Sequence, residues 1–184
     1  MSLSGTWEGH YFQNWITNDS VDIDESSEWA SPIKAVLVEE GGVITGSMVD
    51  LRPGHEVDAR NVYSQVESRL GWLQKREWKA FLNQSQDAKM RTELPRESVI
   101  NGKVDGCEVT LIKDYGGHQV TSWITSARET SEKIPTLPVY YYGELNQERT
   151  IITGTFQVVD PSGRLPTSKG RFRLRKTSSL TAEG

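Results

Sequence analysis

The sequence predicts an all-β fold: an antiparallel up-and-down meander of about 8–10 strands, closed into a barrel and carrying one helical insertion. Three observations carry that expectation. Gly5-Thr6-Trp7 opens an alternating strand near the start of the chain. Gly170-Arg171-Phe172-Arg173-Leu174-Arg175 forms another near its end. Between them lie short apolar/polar alternations separated by glycine-rich turns. Such a meander keeps two open edges unless its first and last strands meet, so those two should lie side by side.

Leu3 to Phe12 places Leu3, Gly5, Trp7, Gly9 and Tyr11 on one face, with Ser4, Thr6, Glu8, His10 and Phe12 on the other. A polar loop follows over 13–32, with acids at Asp19, Asp22, Asp24, Glu25 and Glu28. Ile33 to Val38 and Val43 to Leu51 read as a hairpin around Gly41-Gly42. After Arg52-Pro53-Gly54 the period changes. Val62, Val66, Leu70 and Leu73 recur at helical spacing, so 57–82 reads as helical, with Asp58 as N-cap and a polar loop after it to Arg96. Alternation resumes over 98–104, 107–115, 118–126, 139–145, 150–159 and 170–176, which brings the strand count to nine. Residues 1–176 thus read as a single barrel domain with its insertion at about 57–95, and 177–184 as a flexible tail. Ile44-Thr45-Gly46, Ile100-Asn101-Gly102 and Ile152-Thr153-Gly154 echo one another. Glycine inside a strand suits a sharp bend or a close backbone approach.

Composition excludes several function classes. With 21 basic and 25 acidic residues the net charge is -4, which argues against a nucleic-acid partner. No apolar run approaches the roughly 20 residues needed to span a bilayer, so no membrane partner is expected. The start lacks a basic and then apolar leader, and the expected location is the cytoplasm. The single Cys107 supports neither a disulfide framework nor a cysteine-rich metal site. His10, His55 and His118 have no metal-type spacing. Asp22-Ile23-Asp24-Glu25-Ser26 lacks the glycine and closing glutamate of a calcium loop. No cofactor motif and no catalytic acid, base or nucleophile stands out, so an enzyme is the less favoured reading. A homo-oligomer is compatible with the sequence.

The Gly5-Thr6-Trp7 strand resembles the opening strand of the calycin superfamily, which includes lipocalins, fatty-acid-binding proteins and avidins. The Thr-Gly strands Ile44-Thr45-Gly46-Ser47 and Ile152-Thr153-Gly154-Thr155 are similar to those of the avidin group. The resemblance covers the barrel strands and not the insertion. It implies that the Trp7 face points inward and that Arg173 or Arg175 packs over Trp7 where the barrel closes, making Gly5, Trp7, Arg173 and Arg175 closure residues. With that face inward, alternation orients Ile44, Gly46 and Met48 inward, as it does Ile100 and Val104, Val109 and Leu111, and Val139, Tyr141 and Leu145. Ile152, Phe156 and Val158 follow, then Phe172 and Leu174. The expected function is binding of a small apolar or amphipathic ligand in the lumen, with Tyr11, Met48, Val104, Trp123, Tyr141 and Phe156 as contacts and the insertion as a lid. The same residues would equally fill a solid core. The alternative is therefore a non-enzymatic protein-interaction module with a filled barrel, acting through the insertion or the Tyr140/Tyr142 face.

Overall fold

The computed structural model describes residues 2–13, 30–51, 54–159 and 168–179. The acidic cluster at 19–28, the loop at 160–167 and residues 180–184 lie outside the described residues. In chain order the elements are β1 (Gly5–Gln13), β2 (Ala30–Glu40), β3 (Val43–Asp50), β4 (Gly54–Asp58), α1 (Ala59–Val66), a 3-10 turn (Glu67–Arg69) and α2 (Trp72–Leu82). There follow β5 (Lys89–Glu93), β6 (Glu97–Asp105), β7 (Glu108–Asp114), β8 (His118–Ile124), β9 (Glu129–Pro135), β10 (Val139–Leu145), β11 (Ile151–Val158) and β12 (Ser168–Ser179). The chain divides into two compact units: Met1–Arg52, Arg96–Gly116 and Leu137–Gly184 form one, and Pro53–Pro95 with Gly117–Thr136 the other.

The first unit is a closed antiparallel barrel in the order β1-β12-β11-β10-β7-β6-β3-β2. Neighbours around the wall are successive barrel strands along the chain, and β1 pairs with β12 to shut the cylinder, from Gly5↔Ser179 to Gln13↔Gly170. The fold class is the one the alternation predicts. Gly41 and Gly42 both take positive φ, 58° and 83°, the geometry a two-residue hairpin turn needs to match strand twist. The Ile-x-Gly echo has a structural cause. Ile44, Ile100 and Ile152 are each 0% exposed. A Cβ at Gly46, Gly102 or Gly154 would collide with the backbone carbonyl of Val36, Thr110 or Tyr142 on the adjacent strand.

Every residue assigned inward and given a side chain is buried in, or packed against, one apolar cluster. Ile33, Ala35 and Leu37 of β2 and Leu3 complete it. At one end of the barrel, Trp7 Nε1 donates to the Leu3 carbonyl (2.9 Å) and the Leu3 amide to Glu39 Oε2 (2.6 Å). These bonds tie the first residues across the inside of the wall. The core is thus anchored by the tryptophan that begins the fold.

Several sequence expectations need correction. The barrel closes with eight strands, inside the expected range, but 118–126 is not one of them: it supplies β8, which pairs with β5 and β9 instead of a barrel strand. Its pattern fits that place: Thr121 and Ser122 are the buried residues, where a barrel wall strand buries apolar ones. The stretch at 83–96 contains β5, hidden by its charged sequence Lys-Met-Arg-Thr-Glu, and β9 is equally polar. The helical region begins at Ala59, after β4, rather than at 57, and its second stretch follows Gly71, where Trp78, Phe81 and Leu82 place it. β12 continues through Ser179, so Thr177 to Ser179 are strand rather than tail.

The second unit is a four-stranded antiparallel sheet, β4-β5-β8-β9, with a small helical core. Asp58 caps α1 as the sequence indicates, accepting from the amides of Arg60 (2.7 Å) and Asn61 (3.3 Å). Trp123 packs edge-on against Trp78 (4.9 Å between centroids) and Phe81 (5.2 Å), which joins β8 to α2.

Candidate functional site

The inward-facing residues of the barrel change character toward one end. β3 and β7 finish there, while β6 and β10 begin. Two residues beyond Met48 on the same face of β3 comes Asp50, and two beyond Leu111 on β7 comes Lys113. Both are essentially sealed, at 1% and 0% exposure. Lys113 Nζ donates to Asp50 Oδ1 at 2.9 Å and to Oδ2 at 2.7 Å. Tyr115 Oη donates to Oδ2 at 2.7 Å. The ammonium also lies 4.5 Å from the Tyr115 ring centroid and 5.8 Å from that of Tyr11. Ser98, buried beside them on β6, donates to the Met48 carbonyl (2.9 Å).

An aromatic wall adjoins this pair. Phe156 meets Tyr11 at 5.6 Å, edge-on, and Tyr141 at 5.8 Å, while Tyr141 meets Phe172 at 5.0 Å, edge-on. The sheet positions them: Tyr141 pairs with Leu111 on β7 and with Phe156 on β11. The site therefore holds a charge-balanced ion pair, three phenol groups and aromatic surface. Chemically, its phenols can donate and accept hydrogen bonds, and its rings present apolar surface.

Burial governs titration here. It pushes Tyr11 up to about 12, with the Asp50 charge adding and a hydrogen bond from Ser31 opposing. Burial likewise raises Tyr115, reinforced by Asp50, and Tyr141, reinforced by Tyr11 and Asp50. Burial lowers Lys113, and Asp50 opposes that fall. A raised tyrosine keeps its proton in the folded chain where the unfolded chain loses it. The Tyr11 contribution is therefore complete below the ordinary value of 10.0 and is lost as pH rises toward 12. The lowered Lys113 acts in the opposite sense, but its gain is complete once the unfolded lysine has titrated near 10.5. Urea unfolding across the alkaline range should show stability falling above that pH, with a shallower fall in Tyr11→Phe. Identical slopes in the two proteins would contradict the assignment.

The structure gathers Tyr11, Met48, Tyr141 and Phe156 into the barrel core, and Val104 packs on the same cluster from the hairpin end of β6, opposite the end that holds Asp50 and Lys113. Trp123 lies on β8 of the second unit and on no barrel strand. Gly5 and Trp7 stand in the closing pair. Arg173 and Arg175 stand there too, opposite His10 and Glu8, but they alternate with buried Phe172 and Leu174 and so face away from Trp7. Lys176 is the residue across from Trp7, in register with the pairs from Glu8↔Arg175 to Gln13↔Gly170, and the irregularity between Thr6 and Trp7 lies beyond it. Its Nζ donates to the Ser2 carbonyl (2.8 Å). Tyr141 is buried and Tyr142 exposed, as alternation requires. Cys107 is an exposed free thiol.

Asp50, Lys113, Tyr115 and Ser98 are absent from the sequence-derived site. Among the described residues, no group of three or more His, Cys, Asp or Glu could hold a metal ion. No helix among them is long and apolar enough to cross a membrane. No protein-family model matches the chain, and no curated protein matches it.

Proposed function

We propose that this chain is a calycin-like barrel that binds a small amphipathic molecule at the polar end of its lumen. The observation that carries this reading is the buried Asp50–Lys113 pair set among tyrosines inside an otherwise apolar cylinder. An interior kept only for stability would favour hydrocarbon there, because removing two charges from water offsets most of their attraction. A polar cluster beside Tyr141, Phe156 and Phe172 instead suits a ligand with one hydrogen-bonding end and one apolar end.

Thermal unfolding and native mass spectrometry with a panel of medium-chain amphiphiles test this. A true ligand at about a hundredfold excess over its Kd should stabilise the fold by roughly 2.7 kcal/mol. The effect should vanish in Tyr141→Phe/Phe156→Ala. A panel without one stabilising member would count against lumen binding.

One feature favours protein interaction as a second reading. Trp72 and Leu73 on α2 are 71% and 60% exposed, and Arg76 stacks 5.5 Å over the Trp72 ring. A contact made there should be lost in Trp72→Ser/Leu73→Ser while amphiphile binding persists. Retention of that contact would reject the second reading.

A further inference from the structure

We propose that the barrel site selects an uncharged head group, a hydroxyl or carbonyl oxygen, over a carboxylate or an ammonium on the same hydrocarbon chain. This deepens the lumen-binding reading and rests on it.

The argument begins with charge balance. Each Asp50 oxygen already accepts from Lys113, and Oδ2 accepts from Tyr115 as well. Lys113 commits two of its three N–H bonds to that carboxylate and lies over two rings. The pair is neutral as a unit, and its charges satisfy one another. Among the described residues, a carboxylate arriving here would find no uncommitted cation, and an ammonium no uncommitted anion. Either would be an unpaired charge in a water-poor site, the most costly kind of burial.

Phenols offer what remains. Tyr141 is 2% exposed, and its hydroxyl makes no hydrogen bond among the described residues. Tyr11, half-buried, shares the Phe156 ring with it. A phenol both donates and accepts, so it can meet an alcohol or a carbonyl without any charge entering the barrel. The rings that hold these hydroxyls also supply the apolar wall for the attached chain.

The test uses four ligands on one ten-carbon chain: decan-1-ol, methyl decanoate, decanoate and decylammonium, each displacing Nile red from the full-length protein. The alcohol and the ester should displace it at concentrations about tenfold or more below those of either ion, a difference of about 1.4 kcal/mol. Asp50→Asn removes the anion while nearly keeping shape, and so leaves Lys113 free to meet a carboxylate. In that variant decanoate should gain about tenfold relative to decan-1-ol. Should the variant fail to fold, Lys113→Gln provides the mirror experiment, with decylammonium the ligand that gains. Decanoate matching or exceeding decan-1-ol in the unmodified protein overturns the head-group inference and leaves lumen binding intact. Displacement by none of the four overturns both.

Discussion

Replacing Lys113 by Met is expected to destabilise the chain by about 3–5 kcal/mol, measured as a fall in urea midpoint with little change in slope. The reason lies in what the substitution strands. Methionine fills much of the lysine volume, so little packing is lost. Asp50, however, would keep its charge at 1% exposure with Tyr115 Oη as its only remaining side-chain donor among the described residues. An ion left buried without its partner is among the few causes of single-site losses this large. Asp50 would escape part of the cost by taking up a proton, so the variant should regain stability toward acid pH. A loss below about 1 kcal/mol would mean that the pair is solvated in solution.

Trp7→Ala should cost a comparable 3–5 kcal/mol by a different route. Trp7 is fully buried, and its removal empties the largest side-chain volume in the barrel core. The substitution also strips the Leu3 carbonyl of its indole donor, and with it the tie that holds the N-terminal residues inside the wall. Trp7→Phe separates the two contributions. It restores most of the apolar volume and should recover most of the loss, leaving a deficit of about 1–3 kcal/mol for the orphaned carbonyl. Equal losses in the alanine and phenylalanine variants would show that the hydrogen bond, and not the volume, anchors the closing strands.

Alternation made the barrel legible. Period-two burial is a local property, readable wherever one strand face meets an apolar core, and the core gathers the residues it assigns, from Trp7 and Tyr11 on β1 to Phe172 and Leu174 on β12. The second unit is legible only in its helices and in β8. β5 and β9 are polar along their length and carry no such signal, and β8 reads as a strand without showing in its own pattern which sheet it joins. Parity also reaches the polar end of the barrel: two residues beyond inward Met48 and Leu111, the same alternation points Asp50 and Lys113 into the barrel. Their opposite charges were the available sign that they meet. The position of Trp123 depended on pairing with β5 and β9, and pairing partners are not visible in a strand's own pattern. Arg173 and Arg175 followed from family resemblance, whereas parity with buried Phe172 and Leu174 places them outside.

The most direct measurement compares Asp50→Val/Lys113→Met with the unmodified protein in two readouts, urea stability and decan-1-ol binding. If the pair serves recognition by fixing the phenols around it, through Tyr115 Oη on Asp50 and the ammonium over the Tyr115 and Tyr11 rings, the neutral replacement should fold as well or better while its affinity for the alcohol drops by about tenfold or more. A variant that unfolds several kcal/mol more easily, yet binds the alcohol as before, would show that Asp50 and Lys113 only hold the wall together.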